Sequence, residues 1–304
     1  MTTTTSPTPT RRARRHRESS RPLPPPSLAP KRTSRVITTI VLVFVALYFL
    51  GPVYWLIVAS SKVRSDLLSS PPLMFAGLNW GDNWNALMSW TDGNFPRWVL
   101  NSLLYSVAAG VIGTLISVMC GYAIAKYNFP GRRALLAVTM TGLLMPVALL
   151  TIPMYVLFQS MGIANTPLAV IIPSMISPFG VFLGQVYADS SVPTELLEAA
   201  RVDGSSEART FFTMVLRLLA PAMLTIFLFI FVATWNNILL PLMMISSPEL
   251  KPVTLGLYGM STYFSPNKGA MMLGALLGVL PLIVLFLGLQ RYWRSGLAAG
   301  AVKG

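Results

Sequence analysis

Apolar residues gather along this chain in six long runs, at about 36–59, 98–125, 134–159, 168–188, 218–245 and 270–290. Each reaches the roughly 20 residues that a helix needs to cross a hydrocarbon core about 30 Å thick. None alternates polar with apolar positions, as the strands of a closed barrel do, and an open sheet would leave its edges unpaired in lipid. The pattern therefore predicts an all-α membrane protein with six transmembrane helices. Before the first run, residues 1–35 are rich in Thr, Pro and Arg and hold too few apolar side chains to bury a core, so a disordered basic tail is expected there. Residues 36–304 form the membrane domain.

Composition agrees with the pattern. The chain is 54% hydrophobic and only 11% charged, where a soluble domain carries about 25% charge. The distribution of positive charge sets the orientation. With the N-terminus inside, the inner segments hold eighteen of the 23 Lys and Arg and the outer loops five. Without the tail the bias persists, at nine against five. Both termini are thus expected in the cytoplasm. The tail's Arg11, Arg12, Arg14, Arg15 and Arg17 fit anionic lipid heads. No folded nucleic-acid module follows them, so nucleic acid is not an expected partner. The paired arginines resemble an export signal, yet the run after them is too long for a cleaved signal and no A-x-A site ends it.

Little covalent chemistry is available. One cysteine, Cys120, and one histidine, His16, cannot build a transition-metal site or a His-based catalytic triad. No GxxxxGK[ST] sequence occurs, so the chain has no P-loop of its own. The outer loop 60–97 carries Trp80, Trp84 and Trp90, which suit a helix at the membrane surface or an aromatic platform for a ligand.

The stretch 192–216, VPTELLEAARVDGSSEARTFFTMVL, interrupts the apolar pattern on the cytoplasmic side. It holds four of the chain's ten acidic residues, Glu195, Glu198, Asp203 and Glu207. Pro193 suits the start of a helix, and Glu195 and Glu198 lie near the positive end of its dipole. Gly204 after Asp203 is placed to end that helix in the left-handed conformation. Ser205 or Ser206 is placed to cap a second helix that runs through Phe211, Phe212, Val215 and Leu216 into the fifth span. Ala199 and Ala200 keep one face low, so another surface can approach. Spacing alone fits an ordinary amphipathic connector equally well.

The order of residues here narrows the choice. Glu198-Ala199-Ala200, three residues, then Gly204 resembles the EAA motif of ABC importer permeases (EAA, three residues, G, nine residues, I-x-L-P). It also stands where that motif stands, in a cytoplasmic loop between two spans near the C-terminus. Arg217 occupies the position of the motif's proline, with Pro221 four residues later. "RWVLNSLLYS" before the second span is similar to the start of the core spans in maltose-type carbohydrate permeases. The C-terminal "RYWRSGLAAGAVKG" is similar to the tail of the second of their two paired permeases. The resemblance implies a type I ABC importer permease fold in a bacterial plasma membrane and uptake of a carbohydrate or polyol. It also implies a homologous second permease, two ATP-binding cassette subunits and an extracellular solute-binding protein as partners. ATP would be bound by the ATPase, so the chain itself needs no cofactor. The loop 192–217 would be the coupling helix that docks into the ATPase. Glu198 would pair with a basic group there, and Asp203 and Gly204 would shape the turn.

The spans carry no deep ionisable group, which disfavours an ion-coupled relay. Neutral polar groups remain, among them Asn101, Ser174, Ser177, Gln185 and Thr234. Trp235, Asn236 and Asn237 are the candidates to face a sugar, although polar groups in membrane helices also bond between helices. A self-contained secondary transporter or channel is the alternative. It would need an inverted repeat and buried ion ligands, and neither is visible.

Overall fold

The computed structural model describes residues 32–261 and 268–300. In chain order the helices are α1 (Arg32–Ser60), α2 (Arg64–Ser69), α3 (Trp80–Trp90), α4 (Phe95–Lys126), α5 (Arg132–Leu144) and α6 (Val147–Ser160). Then follow α7 (Leu168–Met175), α8 (Pro178–Ser191), α9 (Thr194–Val202), α10 (Glu207–Thr210), a π turn (Phe211–Val215) and α11 (Leu216–Leu218). The last are α12 (Ala220–Trp235), α13 (Leu239–Met244), a 3₁₀ turn (Pro248–Leu250), α14 (Val253–Tyr258) and α15 (Lys268–Gly300). No strand occurs among the described residues.

The chain divides within α1. Residues up to Pro52 form one unit and those from Val53 onward a second. In the first, the apolar side chains from Val36 to Leu50 are all exposed, as befits a helix surrounded by hydrocarbon. Helix α1 starts at Arg32, so the last four residues of the expected tail are its first turn. Residues 1–31 lie outside the described residues. Helix α15 continues ten residues past the predicted end of the sixth run, to Gly300.

Four helical stretches are long and apolar enough to cross a membrane: Ser34–Ser60, Phe95–Lys126, Leu168–Ser191 and Lys268–Arg291. The other two runs are not straight helices. The run 134–159 is split into α5 and α6, bent by 106°. Met145 precedes Pro146, whose ring excludes the helical conformation for it, and Met145 is accordingly extended. The fourth run is also interrupted, at Ile176 and Ser177 just before Pro178. Ser177 then accepts a hydrogen bond from the Gly180 amide and caps α8.

The passage from the loop into the fifth run differs from the continuous helix expected. The segment Glu207–Leu218 meets α12 at 80°. Pro221 lacks the N–H that would bond the carbonyl of Arg217, and its ring would clash with that carbonyl, so the helix cannot pass straight through. At its far end the run stops being one helix at Trp235 and resumes only at Leu239. Six spans are reached when each bent pair counts as one crossing.

Helix α4 is the central element of the second unit. Its Gly121 lies so near α8 that a Cβ would stand 2.5 Å from the amide nitrogen of Gln185. Small residues let membrane helices approach to backbone contact, where dispersion and weak polar contacts replace the missing hydrophobic drive. At the start of α4 the polar side chains face the loop after α13. Trp98 Nε1 donates to Pro248 O at 2.7 Å, and Asn101 Nδ2 donates to Glu249 O at 2.8 Å and Lys251 O at 3.1 Å. Tyr105 OH donates to Leu250 O at 2.9 Å, and Ser102 Oγ accepts from Val253 N at 2.8 Å. The "NS" and "Y" of the resembled segment thus satisfy backbone groups that would otherwise be orphaned near lipid.

Candidate functional site

The charged loop folds as two short helices joined by a closed turn. Pro193 precedes α9, which holds Glu195 in its first turn and Arg201 in its last, both favourable to the helix dipole. Gly204 takes the left-handed conformation with φ +75°. Its amide donates to Arg201 O at 3.0 Å, and the Ser205 amide donates to Ala200 O at 2.9 Å. These two bonds are the Schellman closure, which spends the last carbonyls of the helix internally and fixes the direction of exit. Ser206 caps the next helix by accepting from the Arg209 amide. The Gly and Ser roles expected from the sequence are therefore both present.

Helix α9 has two faces. Leu197 is buried in a cluster with Tyr122, Val192, Phe211 and Val215, and Ala200 on the same side of the helix is buried as well. Glu195, Glu198, Ala199 and Val202 recur at i, i+3, i+4 and i+7 and are all exposed. Val202, an aliphatic residue at the helix tip, is 88% exposed. Asp203 and Gly204 are exposed beside it. The predicted group divides accordingly: Glu198, Ala199, Asp203 and Gly204 face outward, while Ala200 seats the helix on the bundle. What results is an acidic ridge with a low alanine step and an apolar tip.

The fourth acid behaves differently. Glu207 accepts from Arg201 Nε at 2.7 Å through one carboxylate oxygen and from the Tyr127 hydroxyl through the other. Tyr127 caps the end of α4, and its ring meets that of Tyr122 edge-on at 5.5 Å. The Tyr127 hydroxyl, partly desolvated and donating to a carboxylate, has its pKa pushed well up. The Glu207 carboxyl is held down, first by the Tyr127 hydrogen bond and then by Arg201. Sequence reading missed this link, because Tyr127 is 80 residues from Glu207. The only local sign was a cation, Arg201, six residues before the acid.

The candidates for a solute route lie at the other end of α12. Trp235 is 2% exposed and stacks on Phe231 with centroids 5.7 Å apart and planes 16° apart. Asn236 is exposed, and its amide bonds back to Val232 O at 2.9 Å. Asn237 Oδ1 accepts from the Leu240 amide and starts α13. Trp235 and Asn236 line a cavity of about 400 Å³ together with Thr254, Tyr258, Ser261 and Met271. Asn101, Ser177 and Thr234 are engaged instead in the backbone and capping bonds of the bundle, Thr234 Oγ1 donating to Ile230 O at 2.8 Å. Among the described residues no cluster of three or more His, Cys, Asp or Glu is placed to hold a metal ion.

Comparison with known proteins fits this architecture. Residues 113–298 match the family described as binding-protein-dependent transport system inner membrane component. The arabinooligosaccharides transport system permease protein AraQ of Halalkalibacterium halodurans is 31% identical over 278 residues, covering 90% of this chain and 99% of its own. The diacetylchitobiose uptake system permease protein DasC of Streptomyces coelicolor is 33% identical over 270 residues, covering 88% and 95%. The lactose transport system permease protein LacG of Rhizobium radiobacter is 28% identical, covering 90% and 98%. Among solved structures, a chain of a bacterial ABC transporter involved in import of the acidic polysaccharide alginate superposes with a TM-score of 0.74. It is 18% identical and covers 89% of this chain and 100% of its own, so the fold is shared. With a family match across most of the bundle and relatives aligned nearly end to end, the chain belongs to the inner membrane permease components of binding-protein-dependent ABC transport systems.

Proposed function

We propose that this chain is a permease subunit of a bacterial ABC importer that takes up a sugar or sugar-like solute, forming half of the translocation pathway. It has six spans, with both termini and the loop 192–217 in the cytoplasm. A homologous second permease completes the pathway, two ATP-binding cassette subunits bind and hydrolyse ATP, and an extracellular solute-binding protein delivers the solute. The solute class is supported by relatives whose names refer to arabinooligosaccharides, diacetylchitobiose and lactose. The cavity that Asn236 and Tyr258 line supports a solute route: its largely apolar wall carries one amide and the hydroxyls of Thr254, Tyr258 and Ser261, groups able to orient a neutral polyhydroxylated molecule.

The observation that carries the coupling role is the outward stripe of Glu195, Glu198, Ala199 and Val202 on a helix whose opposite face is buried through Leu197 and Ala200. A helix seated in this way moves with the bundle. ATP-driven closure of the ATPase pair would therefore move the spans as bodies and open the pathway alternately to each side. Glu198→Ala removes the acid, and Gly204→Asp places a side chain in a left-handed turn that costs it about 1–2 kcal/mol. Both variants should reach the membrane and abolish uptake in cells; normal uptake with either would sink the coupling role.

A further inference from the structure

We infer that Glu207 is a positioning residue: by bonding Arg201 on α9 and Tyr127 at the end of α4 at once, it ties the coupling helix to the central span. This inference rests on the coupling role proposed above. Three observations carry it. First, Glu207 and Arg201 form an ion pair within the loop, at 2.7 Å, with each side chain half exposed. Neither side chain is buried enough for the pair to serve as core. Second, the carboxylate is used at both oxygens, so its position is fixed in two directions. Third, Tyr127 is itself fixed by Tyr122, whose ring packs against Phe211 at 5.4 Å and whose hydroxyl lies 3.4 Å from that of Tyr127.

The buried contacts of Leu197 and Ala200 hold α9 against the bundle but leave rotation about its axis weakly restrained, because aliphatic contacts are not directional. The Arg201–Glu207–Tyr127 link supplies direction. It also closes the ring α4, α10, α9 at the point where force would enter from a docked partner. Helix α4 is the right recipient, since α8 and α12 both lie against it through glycines too close to admit a side chain, Gly121 against α8 and Gly110 against Phe227 of α12.

The test uses the assembled importer, with its partner subunits, in lipid nanodiscs. Tyr127→Phe removes one hydroxyl and keeps the ring against Tyr122; Glu207→Gln removes the charge and keeps the shape. Amide hydrogen exchange at Asp203 to Ser205 reports the end of α9, and solute moved per ATP hydrolysed reports coupling. Each variant should raise that exchange about threefold, the size expected for an exposed charge-assisted bond. Each should also lower solute moved per ATP while ATP hydrolysis persists, and the double variant should do no more than either alone. Unchanged exchange overturns the link. Faster exchange with unchanged solute per ATP overturns the positioning role. Glu198→Ala, measured in parallel, keeps the two ideas apart: its exchange should match the parent chain, and normal uptake by that variant counts against the coupling role itself, whatever Glu207 does.

Discussion

Glu198 and Glu207 stand nine positions apart on one charged loop and have opposite surroundings. Glu198 points away from the bundle, while Glu207 points back to Tyr127 and Arg201. The pKa of Glu207 shows what acid should do. Its carboxyl is held below the ordinary range in the folded chain, by the Tyr127 hydrogen bond before the Arg201 pair, so folding favours the ionised form. That contribution is complete above the ordinary carboxylate range and falls away as pH drops through the lower folded value. It is modest, because both carboxylate and guanidinium are half exposed and screened. Protection of the amides of Asp203 to Ser205, taken relative to an unstructured amide at the same pH, should therefore be flat through neutral pH and fall only below the ordinary carboxylate range. A fall centred near neutrality would contradict the assignment. At this scale the sequence was readable where the requirement is local: Gly204 is needed for a left-handed turn whoever the neighbours are. It was unreadable where the partner, Tyr127, arrives from another helix.

Between elements, proline and asparagine decide more than hydropathy does. Hydropathy reports how many apolar residues follow one another, and says nothing of whether they share one axis. Pro146 goes with a 106° bend inside the third run, and Pro221 with an 80° bend where the charged loop enters the fifth. Arg217 replaces the proline of the resembled motif, yet the chain still bends, because Pro221 imposes the turn one helical turn later. Asn101 shows the same dependence on distant backbone. It is one of the few neutral polar groups in the apolar runs, and it donates to two carbonyls about 150 residues away. Asn101→Leu should leave those carbonyls unsatisfied, at about 1–3 kcal/mol for the first group lost. The expected result is a thermal midpoint lower by several degrees in detergent, with no change in ATPase co-purification. An unchanged midpoint would show that water replaces the amide.

For the whole molecule, the test is its company. Mass spectrometry of complexes released from native membranes should find this chain with an ATPase, a second permease and a binding protein. Recovery of the chain alone, where other membrane assemblies survive, would favour a self-contained carrier. The class of the protein was legible from sequence by itself: 54% hydrophobic residues in runs of about 20 leave few soluble alternatives. So were the helix and turn of the charged loop, because a proline start, an acidic first turn and a glycine stop act over about a dozen residues. Only tertiary structure decided which runs bend, which polar groups inside the bundle serve its own backbone, and which of four acids is turned inward. Those outcomes depend on groups brought together from distant parts of the chain, and short-range patterns carry no record of that company.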